Sequence, residues 1–210
     1  MTISLTNTGK RFNRDWIFRH FDFQFIPDKH YAITGPNGSG KSTLLQCIAG
    51  AIALSEGKIN CRDDVSQKEI PSDSIFKFIS IAAPYLELVE EMTLLEFLKF
   101  HNQFKPLVST ESFETIMETL GLAGASSKQI RYFSSGMKQR LKLGQAFFSA
   151  TPVILLDEPC TNLDNQGIEL YDTLVAKFSK GRMIIVSSND QREYQFCEKI
   201  IDIRDYKKSN

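Results

Sequence analysis

GPNGSGKST, residues Gly35 to Thr43, follows the run Tyr31-Ala32-Ile33-Thr34, which reads as a buried strand, and precedes Leu44, Leu45, Ile48 and Ala49 at helical spacing. The spacing GxxxxGKS between a strand and a helix is that of a phosphate-binding loop. Gly35, Gly38 and Gly40 admit backbone conformations that side chains forbid, so successive N–H groups can point inward at the phosphates of a nucleotide. Pro36, Asn37, Ser39 and Thr43 complete the cradle, and the helix opening at Lys41 adds its N-terminal dipole. Lys41 is placed to reach the β- and γ-phosphates, and the Ser42 hydroxyl to coordinate Mg²⁺.

Moving outward, 210 residues with 42% hydrophobic content suffice for a single domain, 1–210, with a sizeable core. Lysine plus arginine and aspartate plus glutamate each number 25, so no strong field of either sign advertises nucleic acid or an anionic membrane surface as partner. Cys47, Cys61, Cys160 and Cys197 form no CxxC pair, and the opening MTISLTNTGKRF lacks an apolar signal core. Both features predict reduced cysteines in the cytoplasm. No apolar run approaches the roughly 20 residues of a membrane-spanning helix, so any spans that this protein serves belong to another chain.

Upstream of the loop, Ile3 and Leu5 begin a short strand, and Ile17 to Ile26 alternates with Phe21, Phe23 and Phe25 on one face, an antiparallel pattern. Phe12, in the bend between them, has a ring that can stack on adenine or fill a core. Downstream, 57–61 and 77–82 read as strands, and the loop RDDVSQKEIPSDS carries no chemistry. Tyr85, Leu86, Leu88 and Val89 are apolar where a surface loop is normally polar, which predicts an exposed patch. From 84 to 149 the pattern is helical: Leu94, Leu95, Phe97, Leu98 and Phe104 follow Thr93 as N-cap, and Phe113, Ile116, Met117 and Leu120 precede Gly121. Ser134-Ser135-Gly136 then opens an amphipathic helix carrying Leu141, Leu143, Phe147 and Phe148. A hydroxyl and free N–H groups at a helix start bind an anion or simply cap the helix.

Val153-Ile154-Leu155-Leu156 runs straight into Asp157-Glu158-Pro159, a buried parallel strand with two carboxylates at its C-terminal tip, the edge where open α/β sheets bind ligands. Asp157 suits a Mg²⁺ partner and Glu158 a general base for an attacking water. Asn162-Leu163-Asp164 leads into a further helix, Met183–Val186 is one more buried strand ending in Ser187-Ser188-Asn189-Asp190, and Ile200 to Ile203 is the last strand.

GPNGSGKST, FSSGMKQRL, VILLDEP and NLD, in this order and at these separations, closely resemble the ATP-binding cassette (ABC) ATPases over essentially the whole chain. The resemblance implies an α/β P-loop NTPase fold: a RecA-like mixed sheet with flanking helices and an antiparallel β subdomain (catalytic lobe 1–83 and 150–210), plus an inserted helical lobe, 84–149. It further implies a head-to-tail dimer, most simply of two copies, around two ATP molecules with Mg²⁺. Ser134, Ser135 and Gly136 then match the signature that faces the partner's nucleotide, Asp164 the loop that crosses the interface, Phe12 the adenine-stacking aromatic, and Glu158 the catalytic glutamate. The helical lobe matches the part that receives membrane partners.

Two positions depart from that pattern. Where the family carries a glutamine after the strand at 77–82, this chain has Ala82-Ala83-Pro84-Tyr85, and none of them is a glutamine substitute. Where the last buried strand ends in a histidine that contacts the γ-phosphate, this chain has Asn189, a shorter neutral amide. Lys41, Glu158 and Asn189 are therefore the expected catalytic set, with slow turnover. The leading expectation is the nucleotide-binding subunit of a transporter, in the cytoplasm against the inner face of the membrane, with a separate transmembrane permease subunit and no nucleic acid. A nucleotide-gated dimerisation module and a soluble non-transport ATPase of the same family are the alternatives.

Overall fold

A computed structural model of the protein describes residues 1–206. Its N-terminal part is a hairpin of β1 (Thr2–Phe12) and β2 (Asp15–Phe25), extended by β4 (Glu56–Arg62) and β5 (Glu69–Ile70) into an antiparallel sheet of order β2-β1-β4-β5. β1 is longer than its apolar start announces, because its outer half is polar and pairs on the hairpin arm. Register breaks after Leu5 and Thr8 bend that hairpin, with Asn7 and Asn13 taking the left-handed conformation that asparagine tolerates. The breaks also bring Phe18, out of phase with Phe21 and Phe25, into the same core, all three fully buried, while Phe23 is half-buried.

The second sheet has order β6-β7-β8-β3-β9, from β3 (His30–Thr34), β6 (Ile79–Ala82), β7 (Val153–Asp157), β8 (Met183–Ser187) and β9 (Lys199–Asp202), and every pair in it is parallel. Of the two sheets, only the N-terminal one is antiparallel. The alternation along β7 and β8 assigns the two faces of this sheet. Val153, Leu155, Met183 and Ile185 pack with α1 (Lys41–Ile48) and the antiparallel sheet. Ile154, Leu156, Ile184 and Val186 pack with α4 (Ser135–Phe148) and α5 (Asn165–Phe178).

The helical region contains α2 (Leu94–Phe104), α3 (Phe113–Thr119) and α4. Its core is continuous with one face of the parallel sheet: Leu94, Leu98 and Leu141 belong to the same apolar cluster as Ile154 and Val186. Leu88 belongs to that cluster too, at 8% exposure, so the predicted patch is broken at its centre. Tyr85 and Val89 are exposed and Leu86 is half-buried, whereas Leu88 turns inward because the segment packs onto α2 and α4 instead of lying free. A short helix, α6 (Gln191–Tyr194), joins β8 to β9. No helix among the described residues is long and apolar enough to cross a membrane.

Candidate functional site

The phosphate loop leaves β3 at the carboxyl edge of the parallel sheet, beside the tips of β7 and β8. Gly35 and Gly40 have φ of +139° and +107°. A Cβ at Gly40 would stand 2.3 Å from the Ile17 side chain, and one at Gly35 2.7 Å from Ile203. Conformation and space both exclude side chains there, so the loop presents backbone. A cavity of about 190 Å³ runs along it, walled by Asn37, Gly38 and Gly40, by the start of α1, by Ile17 of β2 and by Glu158. Lys41 is 5% exposed and donates its ammonium to Gly35 O at 2.7 Å and Pro36 O at 3.3 Å. The loop carbonyls thereby hold the cation at the cavity wall.

Asp157, at the tip of β7, is buried, and its Oδ1 has no hydrogen-bond partner within the protein; the same holds for Ser39 Oγ in the loop and Ser187 Oγ at the tip of β8. Burial pushes the Asp157 carboxyl above the ordinary aspartate range, and the Glu158 charge adds to this, while the Lys41 ammonium pulls the other way. A hard oxygen-seeking cation relieves a buried, under-satisfied carboxylate beside a serine hydroxyl, so Asp157 and Ser42 fit Mg²⁺.

Glu158 takes a left-handed φ of +43°, and its N–H donates to Ser187 O at 2.9 Å. That turn ends the strand and places Glu158 between two cavities: the one along the phosphate loop and a second of about 300 Å³ that also contains Asn189 and Glu193. Asn189, from the loop after β8, donates Nδ2 to Asn37 Oδ1 of the phosphate loop at 3.0 Å. Lys41, Ser42, Asp157, Glu158 and Asn189 are thus gathered at one sheet edge from three parts of the chain.

Three predicted groups lie elsewhere. Phe12 is 46% exposed at the end of β1, with the Lys10 ammonium 4.8 Å from its ring centre, and takes no part in the phosphate-loop cavity; Ile17 does. Ser134 and Ser135 are exposed at the start of α4, where Ser134 Oγ accepts from Met137 N, and neither they nor Gly136 line that cavity. Asp164 caps α5 by accepting from Gly167 N at 2.8 Å and pairs with Arg140 of α4 at 3.0 Å. A Cβ on Gly136 would meet Asn162 O at 3.2 Å, and Gln139 donates to Pro159 O at 2.7 Å. The SSG segment and the loop at 159–164 therefore form one joined surface.

Two functional candidates escaped the sequence. Tyr85 follows β6, whose Ala82 pairs with Leu156, so its segment leaves the sheet alongside Asp157. Tyr85 as a whole is 42% exposed, but burial about its ring first, then the Asp157 charge, push its hydroxyl up to about 12, with the Gln46 side chain of α1 pulling the other way. The pairing of β6 with β7 thus brings Tyr85 to the sheet edge of Asp157, where the sequence offered no substitute for glutamine. Glu193 is buried, accepts from Cys160 N at 2.7 Å, and reads in QREYQF as an ordinary surface charge. Burial, followed by Glu193 as the nearest charge, holds the Cys160 thiol up at about 12.

The family model described as "ABC transporter" matches residues 18–161. Among curated proteins, the chain is 28% identical over 192 residues to the uncharacterized ABC transporter ATP-binding protein YybJ of Bacillus subtilis (strain 168), covering 91% of this chain and 87% of that one. It is 32% identical over 186 residues to the cytochrome c biogenesis ATP-binding export protein CcmA of Reclinomonas americana, covering 87% and 82%. Among solved structures, the dimeric structure of MJ0796, a bacterial ABC transporter cassette, superposes with a TM-score of 0.79 at 23% identity over 95% of this chain and 93% of that one.

Proposed function

This chain belongs to the ABC transporter family, and we propose that two copies of it close around two ATP molecules and, by hydrolysing them, drive membrane-spanning subunits carried by other chains. The observation that carries this reading is the meeting of Lys41, Ser42, Asp157, Glu158 and Asn189 at one sheet edge while the SSG segment stays outside the cavity. A site with a phosphate cradle but no second anion-binding wall is completed by another copy's Ser134–Gly136. The dimeric form of the MJ0796 cassette supports the same arrangement.

In this reading the loop N–H groups and Lys41 bind and orient the β- and γ-phosphates. Mg²⁺ held by Ser42 and Asp157 would supply charge neutralisation there. Glu158 accepts a proton from the water that attacks the γ-phosphorus, and the bond to the β–γ bridging oxygen breaks, leaving ADP and phosphate. Asn189 donates one neutral hydrogen bond where charge builds up, which favours slow turnover. Tyr85 and Val89, with the groove of about 450 Å³ between Pro84, Leu86, Glu87 and Lys142, form the face for the membrane subunit.

Glu158→Gln keeps the shape and loses the base. Hydrolysis should fall by about two to four decades while ATP binding is kept, and size-exclusion chromatography with Mg²⁺-ATP should show a stable dimer. A variant that stays monomeric at saturating ATP would contradict the two-copy site.

A further inference from the structure

We propose that Glu193 is a positioning residue for hydrolysis: its carboxylate clamps the loop that follows Glu158 to the loop that carries Asn189, so that both groups are held at fixed places beside the phosphate loop.

The observation is a set of bonds converging on one buried residue. Glu193 is 5% exposed, and its Oε1 accepts from Cys160 N at 2.7 Å, two residues beyond Glu158 and 33 residues away in the chain. Its backbone is held from two further sides. The Tyr171 hydroxyl of α5 donates to Glu193 O at 2.6 Å, and Glu193 N donates to Asp190 O at 3.0 Å. Ser188 Oγ accepts from Asp190 N at 2.9 Å, and Asn189, between them, donates to Asn37 of the phosphate loop. The path from Cys160 through Glu193 and Asp190 to Asn189 therefore follows the wall of the cavity that Glu158 and Glu193 share, and ends on Asn37 of the phosphate loop.

What the long, rigidly held acceptor supplies is reach. Cys160 N lies in a turn whose backbone is already strained, with left-handed φ at Glu158 and Asn162. Without an acceptor that turn relaxes, and the Glu158 side chain loses its aim. A misplacement of about 1 Å costs up to about a hundred-fold in rate.

The inference rests on Glu158 being the base, and the test separates the two. Glu193→Asp keeps the charge and withdraws the acceptor by one methylene, whereas Glu193→Gln keeps the reach and removes the charge. ATP hydrolysis and ATP affinity are measured on the full chain for both, with Glu158→Gln alongside. Glu193→Asp should lose about ten- to a hundred-fold in kcat at unchanged KM, and Glu193→Gln should stay within about three-fold of the wild type. Wild-type kcat in Glu193→Asp, a rise in its KM that accounts for the loss, or an equal loss in Glu193→Gln overturns the clamp. Full hydrolysis in Glu158→Gln instead overturns the assignment of the base beneath it. Should Glu193→Asp not fold, Tyr171→Phe, which frees only the Glu193 carbonyl, must lower kcat at unchanged KM for the clamp to stand.

Discussion

In the proposed reaction Asn189 stands where negative charge develops, and its amide is already bonded to Asn37 of the phosphate loop. A neutral donor on a short arm positions the nucleotide and stabilises the transition state less than a donor that can carry charge; one preorganised donor is worth on the order of 3 kcal/mol. Asn189→His should therefore raise the hydrolysis rate at saturating ATP by about ten-fold or more, with a new pH dependence near the imidazole value of about 6.5. A wild type that turns over briskly, and slows with the histidine, would show that Ser188 or a water already fills the role. Lys41 illustrates the opposite case. Its ammonium is buried yet satisfied by two loop carbonyls, so the phosphate loop keeps its cation in place through its own backbone.

At the scale of elements, α2 and α4 are held by charges placed at their ends. Thr93 and Glu96 form a reciprocal capping box at the start of α2, worth about 1 kcal/mol. Arg182, pushed down to about 10 by burial, donates to Phe147 O and Ser149 O and so satisfies carbonyls that the last turn of α4 leaves free. His101 of α2 bonds Ser149 Oγ at 2.9 Å, joining the two helices at that end. Burial, and secondarily the Lys105 charge, depress the His101 pKa to about 4. The unfolded chain binds the proton first as pH falls through about 6.5, so stability is complete above that pH and drains away between about 6.5 and 4. The loss amounts to at most about 3 kcal/mol. Urea unfolding at pH 7 and pH 5 should show the decline in the wild type and a smaller one in His101→Gln; equal declines in both would remove His101 from the account.

For the whole molecule, the segment at 85–89 separates docking from folding. Leu88 lies in the core shared by the helices and the parallel sheet, whereas Val89, one residue on, is 39% exposed. Leu88→Asp buries a charge without a partner and should cost several kcal/mol, read as a large drop in melting temperature or loss of folded protein. Val89→Asp should melt like the wild type, hydrolyse ATP normally, and no longer co-purify with a membrane subunit. Retained co-purification would move the docking face elsewhere. The same architecture bears on the two-copy site proposed above. The SSG segment opens α4 and is tied to 159–164 through Gln139 and Arg140, outside its own phosphate-loop cavity, and in the proposed dimer it serves another copy's.

Sequence alone determined the parts whose physics is local. A phosphate loop is specified by glycines and a lysine within nine residues, a buried parallel strand by an unbroken apolar run, and the acids at 157–158 by their place at its end. Those readings agree with the fold because each depends on backbone conformation or periodicity, which neighbours in the chain dictate. Only the tertiary structure decided what depends on contacts between distant segments. Leu88 and Val89 have the same apolar character, and packing against α2 and α4 alone sends one inward and leaves the other out. Glu193 looks like any surface glutamate in QREYQF, and it becomes a buried acceptor only because β7 and β8 run side by side and bring Cys160 to it. Tyr85 is carried to the sheet edge of Asp157 for the same reason, through the pairing of β6 with β7. Spacing along a chain carries no record of which strands will be neighbours; burial of both faces of the parallel sheet settles that, and with it the partners of each side chain.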